Sequence, residues 1–422
     1  MHVPKVSEGR RWRLGLGVTL LAVALVAVAA ALGATGSTKS PGSMKAKAAG
    51  GYGEVYKADP KILAKTLFKA SLLPPRGMAR NIALAAYGRA SKKVNFNLAL
   101  RCWRNDGCRT GTGGKLTVAY VEPFGENVYR HISKMEFILQ ALTYKSIGRI
   151  IYRSAHSDLN RALADFRAMI AQRVSAIVTY PDFADAELPV FREARRAGIP
   201  VATYAWGYVS GPGKNYTTVV GENVCKLGRA YAKVMNKYVK SGQIAFMGGF
   251  PGNPLSAGWQ KCERPALNKS IRVVASEPTN WDASKVQQVV SGILAAHPKI
   301  KGWSYEYGLG MAQGAFQAYK AAGKAFNAVL TLRTDDVGMG CKTRQLRNPK
   351  LKVFYYTAGN SQIRVALTAT MMKLKGAKIP PKIVFPIQLQ NEAKRTECVK
   401  GYPQEASATS LVPLRLLHRM YP

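Results

Sequence analysis

The chain has 422 residues, 47% of them hydrophobic, which is enough for two or three domains with sizeable cores. It carries 62 Lys+Arg against 23 Asp+Glu, a net charge of +39, and the bases are spread along the whole length rather than gathered into a tail or one helix. Only one strongly apolar run occurs, at the N-terminus, so the rest of the chain is not an integral membrane domain.

In that N-terminal segment, Arg10, Arg11 and Arg13 precede an apolar run from about Leu14 to Leu32, and a small-residue, polar stretch follows. A basic start, an apolar middle and small residues around Ala31 to Gly36 read as an export signal over residues 1–36. The run also approaches the ~20 residues that span a bilayer, so an uncleaved membrane anchor is the rival reading. No cysteine stands at its end to accept a lipid. Either reading places the folded part in the periplasm, or on the outer face of the cytoplasmic membrane or cell wall of a bacterium. There, so basic a protein is expected to be drawn to an anionic wall or membrane surface. Nucleic acid, the other polyanion that such a charge invites, is not expected as a partner.

Residues 37–112 read as a linker followed by a helical extension, with helix-like apolar spacing at Ile62–Leu73 and Ala79–Ala90 on either side of Pro74-Pro75. Export makes disulfides plausible for the six cysteines. Cys102 and Cys108 flank a natural turn, which favours a local bridge; Cys225–Cys262 and Cys341–Cys398 then remain as guesses by elimination. A zinc site is the alternative, but no Cys-x-x-Cys pair or paired His spacing supports it.

From Lys115 onward strands and helices alternate. Strands are expected at Leu116–Val121, Arg149–Arg153, Ser175–Tyr180, Val201–Tyr204, Thr217–Val220, Ile244–Met247, Ile271–Ala275, Gly302–Tyr305, Ala328–Leu332 and Lys352–Tyr356. Helices of ten to fifteen residues lie between most of them, and a last extended segment, Lys382–Leu389, runs into a polar tail. This is α/β, doubly wound parallel-sheet architecture. The units are too many for one sheet, and a Gly/Pro/Ser-rich break at 207–213 divides them, so two lobes with a cleft between them are expected. In such sheets ligands bind beyond the carboxyl ends of the strands, where Tyr180, Pro181, Asp182, Tyr204 and Trp206 fall.

Several segments, in order, carry a resemblance: YVEPF at 120–124, AIVTYPDFADA and ARRAGIPV, VVGENVCKLGRA, NWDASK, GMAQGAFQAYKAAGK and LKGAKIP. Together they resemble the substrate-binding proteins of sugar-type ABC importers, the ribose/galactose-like type I periplasmic binding proteins. The resemblance implies two parallel-sheet lobes joined by a hinge, 115–207 plus 358–380 and 208–357 plus 381–422, with three chain crossings. It implies a monomer that closes on a small, carbohydrate-like solute and delivers it to an ABC permease. The chain departs from the family pattern at the site. Ala205 and Trp206 stand where sugar binders carry an Asp-Arg pair. Trp259 stands in place of an arginine, Leu309 in place of an aspartate with Glu306 nearby, and Thr357 near a usual glutamine.

Candidate ligand residues follow from position and chemistry. Phe124, Tyr204, Trp206, Trp259 and Tyr356 fall at or just beyond strand ends, where aromatic faces can stack on a sugar ring. Glu306 and Asp335 are strand-end acids that can accept hydrogen bonds from hydroxyls. Asn127 and Arg130 open a helix and are read as capping and solvated surface. The five His show no metal spacing, no nucleophile stands beside a base, and the glycine clusters at 111–114 and 308–314 miss phosphate-loop and dinucleotide patterns. No enzyme, metal or cofactor is therefore expected. The alternatives to transport are a membrane-anchored ligand sensor of the same fold and an envelope anionic-polymer binder.

Overall fold

The computed structural model describes residues 56–421 apart from 126, 206–208, 358 and 392–397. Residues 51–422 form one compact unit, which contains both sheets, their cores and every disulfide described below.

The extension supplies helices α1 (Pro60–Leu67), α2 (Gly77–Ala90) and α3 (Phe96–Arg104) and the short strand β1 (Gly107–Arg109). Lobe one continues as β2 (Leu116–Glu122), α4 (Val128–Ala141), β3 (Ile147–Ser154), α5 (Leu159–Ala171), β4 (Ala176–Thr179), α6 (Leu188–Arg196), β5 (Val201–Thr203) and β6 (Thr218–Glu222). Lobe two takes α7 (Val224–Tyr238), β7 (Gly242–Gly248), α8 (Pro254–Glu263), β8 (Ile271–Pro278), α9 (Ala283–Ala296) and β9 (Ile300–Ser304). It goes on through α10 (Gly308–Gly310), a π turn, α11 (Phe316–Ala321), β10 (Val329–Leu332), α12 (Val337–Leu346) and β11 (Lys352–Tyr355). The chain then returns to lobe one for α13 (Gln362–Leu374) and β12 (Lys382–Phe385), crosses to lobe two for β13 (Gln390–Asn391), and ends in α14 (Leu414–Met420).

Local chemistry sets these boundaries. Asn95, Asn127, Asp158, Asn223, Asn253 and Asp282 each turn a side-chain oxygen onto backbone N–H groups of the helix they precede, the usual role of Asn and Asp at an N-cap. Strands such as β4 and β10 are buried along their full length, as parallel strands covered on both faces must be. Sheet one has the order β1-β3-β2-β4-β5-β6-β12 and sheet two β13-β11-β10-β9-β7-β8. Both are parallel apart from the antiparallel edge strands β1 and β13. The fold is thus two doubly wound α/β lobes, with separate apolar cores on the two faces of each sheet.

The lobe boundaries differ from those expected. β6 pairs with β5, placing Ala202 opposite Thr218, and β12 pairs with β6, so both strands belong to lobe one. The break expected at 207–213 is not a crossing. Its described part is a turn, in which the Gly211 carbonyl accepts from Lys214 and Asn215. The first crossing comes at Glu222–Asn223, where Asn223 caps the opening helix of lobe two.

The C-terminal segment is not a polar tail: Ala406, Val412, Leu416 and Leu417 are buried. On lobe two, the Gln404 and Ala406 carbonyls accept from Gly338 and Val337, and Ser407 and Thr409 hold Asp335. On lobe one, Ser410 and the Leu411 amide donate to Glu136, and α14 packs on α3. The segment is a strap that crosses between lobes a fourth time. The extension packs on lobe one through the same core as α4, α13 and α14, and it contains α3, a third helix that the expected pattern lacked. Disulfides join Cys102–Cys108, Cys225–Cys262 and Cys341–Cys398; the last ties the start of the strap to α12.

Candidate functional site

The carboxyl ends of the two sheets face one another across a cleft. A small, open-ended space of about 40 Å³ lies there, lined by Asn127, Tyr129, Arg130 and Tyr180 from lobe one and by Leu255, Trp281, Glu306, Tyr307, Arg333, Thr334 and Asp336 from lobe two.

Each charged group on its wall already has partners within the protein. Asn127 accepts from the Arg130 amide and so starts α4. That start carries the Arg130 guanidinium between Glu122 and Asp182, both at 2.8 Å. The guanidinium also lies 3.8 Å from the centre of the Tyr180 ring, a cation–π contact. Burial opposes its charge, but the two carboxylates hold Arg130 charged. Burial likewise pushes the Asp182 carboxyl up against the pull of Arg130. On the other wall, Arg333 follows β10 and reaches across to lobe one, donating at 2.5 Å to Glu222 and to the Ala205 carbonyl.

Glu306 follows β9 and accepts the indole N–H groups of Trp259 at 2.6 Å and Trp281 at 2.9 Å. Burial pushes its carboxyl up, and those hydrogen bonds oppose the shift. Asp336 accepts from Thr334 Oγ1 at 2.7 Å and the Leu309 amide at 2.9 Å, and burial pushes it up to about 7. Ala184, Ala205, Asn280 and Trp281 near the cleft have φ of 50 to 53°. Such left-handed geometry is uncommon for residues other than glycine and clusters at ligand clamps. At Trp281 it turns the indole toward Glu306; at Ala205 it presents the carbonyl to Arg333.

The two lobes also meet through aromatic rings. Phe124 of lobe one stacks on Phe250 of lobe two with centroids 6.1 Å apart and meets Trp281 edge-on at 5.5 Å. Phe183 approaches Phe250 at 6.3 Å.

Of the residues expected to bind ligand, Glu306 lines the space and Phe124 stands beside it in this aromatic cluster. Trp259 is buried behind Glu306 and positions it. Tyr204 lies in the lobe-one core, sharing a 2.6 Å hydrogen bond with Tyr120. Tyr356 is buried in a lobe-two core. Asp335 tethers the strap instead of facing the space. Trp206 lies outside the described residues. Arg130, read from the sequence as solvated, is buried and on the wall. Tyr129, Trp281, Tyr307, Arg333 and Asp336 also line the space without having been singled out. Trp281 had a signal, since it sits within the Asn-Trp-Asp segment that carried the resemblance.

Residues 119–378 match the family model described as periplasmic binding protein domain. The chain belongs to the periplasmic binding protein family. Members are extracytoplasmic, and among the described residues no helix is long and apolar enough to cross a membrane. This binding protein is 24% identical to the ribose import binding protein of Bacillus subtilis over 244 residues, 58% of the chain and 77% of that relative. It is 30% identical to the D-allose-binding periplasmic protein of Escherichia coli over 122 residues, 28% of the chain and 39% of that relative. Its fold matches the crystal structure of an ABC transporter periplasmic solute binding protein from Actinobacillus succinogenes with bound D-allose. There the TM-score is 0.57 at 22% identity, over 66% of this chain and 99% of that one.

Proposed function

We propose that the protein captures a neutral, polyhydroxylated solute of sugar type in the interlobe cleft and delivers it to an ABC permease outside the cytoplasmic membrane. The observation that carries this reading is the wall of the cleft. It presents the rings of Tyr129, Tyr180, Trp281 and Tyr307 beside carboxylates and guanidinium groups that are already paired within the protein. Aromatic faces suit the C–H faces of a sugar ring, and fixed, internally paired charges suit hydroxyls better than a charged ligand, which would disturb that pairing. Family membership and the ribose- and allose-binding relatives point the same way. Solute would be held by both walls at once, so binding would favour the closed arrangement.

The test is a panel of pentoses, hexoses, polyols, amino acids and amines, read by thermal stabilisation and by Trp281 fluorescence. At least one neutral polyhydroxylated solute is expected to stabilise the protein. Glu306→Gln, which can no longer accept from both indoles, is expected to weaken that solute by about tenfold or more. Stabilisation by charged solutes alone, or by none of the panel, would refute the reading.

A further inference from the structure

The distribution of charge over the fold is polar. Among the described residues nine Asp and Glu are buried against four Lys and Arg, and many of these acids stand at the carboxyl ends of strands, the pole that carries the cleft. The opposite ends of the lobe-one strands lie together, as the register shows: Val118 is opposite Ala176, Ile177 opposite Val201, and Val219 opposite Lys382. The segments that lead into these strands, 110–116, 143–147, 172–175, 195–200, 211–217 and 375–382, each carry Lys or Arg and no Asp or Glu. The turn 91–95, with Lys92 and Lys93, joins the same pole, because Arg89 at the end of α2 donates to the Thr143 carbonyl.

Bases at helix C-termini offset the helix dipole, which accounts for part of this pattern and for the similarly basic pole of lobe two. It does not account for Leu374. This last residue of α13 is 39% exposed, which sets it apart among the large hydrophobic side chains described. It sits between exposed Lys373 and Lys375. An apolar side chain flanked by two lysines matches a surface whose charge is anionic and whose interior is apolar. A hydrated anionic polymer offers the first of these without the second.

We propose that this pole of lobe one is a docking surface for an anionic lipid bilayer, with Leu374 entering the headgroup region and the surrounding Lys and Arg meeting lipid phosphates. The surface lies away from the cleft, so it leaves the solute site open.

The test is vesicle co-sedimentation of the folded unit, residues 51–422, on phosphatidylglycerol–phosphatidylcholine and on phosphatidylcholine alone. Melting temperature serves as the check of folding. Binding is expected only to the anionic vesicles. The K373E/K378E/K382E variant is expected to weaken it by about tenfold or more, and Leu374→Ser by several-fold. The matched lobe-two variant K269E/K299E/K350E is expected to stay within about twofold of the parent. Equal loss from the two reversals, unchanged binding by Leu374→Ser, or tighter binding to soluble polyphosphate than to vesicles would each overturn the proposal.

Discussion

Asp336 shows how burial sets chemistry at a single position. Among the described residues it has no cation partner; its oxygens accept from Thr334 and the Leu309 amide, and burial raises its pKa from the ordinary 3.8 to about 7. Between those values the folded protein holds a proton that the unfolded chain releases. The contribution of Asp336 to stability is therefore fully present below 3.8 and is lost as pH rises towards 7. The melting temperature is expected to be higher at pH 5 than at pH 8. Asp336→Asn, fixed in the neutral form, is expected to flatten the profile by an amount on the order of a few kcal/mol at the alkaline side. Glu187 and Glu263, also raised by burial, act in the same direction, so the flattening is partial. A steeper profile in the variant would contradict this assignment. The same residue marks a limit of sequence reading. A strand-end acid in an acid-poor chain is conspicuous, which is why Glu306 was legible. Which of Asp335 and Asp336 faces the cleft depends on the turn after β10 and on a strap more than seventy residues away. Arg333 was hidden for the opposite reason: among 62 bases no single one stands out, and its partner Glu222 lies 111 positions earlier.

At the scale of elements, the alternation of strands and helices was legible because β2, β4, β7 and β10 are short apolar runs bounded by turns. Their assignment to lobes was not. β6 follows a Gly/Pro-rich segment that reads as a divide, yet its parallel pairing with β5 and β12 is a long-range choice that local composition does not encode. The C-terminal strap was hidden too, since a strand-poor polar stretch gives no periodic signal although its apolar residues end up buried. The Cys341–Cys398 bridge, across a sequence separation of 57, fastens the start of this strap to α12. Replacing both cysteines by serine is expected to lower stability by about 2–4 kcal/mol, measured by denaturant unfolding under non-reducing conditions. An unchanged midpoint would show that the strap holds without its covalent tie.

For the molecule as a whole, the strap adds a fourth connection to a hinge that already carries three. It joins Asp335 of lobe two to Glu136 of lobe one through Ser407, Thr409, Ser410 and Leu411. Opening the cleft must stretch or release this link. Asp335→Ala, which frees the strap from lobe two while leaving it in place, is expected to enlarge the solute-free protein in small-angle X-ray scattering and to weaken solute binding. Equal radii of gyration for the variant and the parent would remove the strap from the hinge.

The packing of both ends of the described chain on lobe one has a practical consequence. Tyr56 and Tyr421 pack against the same core, and α3 and α14 are neighbours. If lobe two swings about the hinge, the two ends travel together as parts of one body. Fluorescent reporters fused to the ends would then stay silent through a full cycle of capture and release, whereas labels on either side of Phe183 and Phe250 would register it.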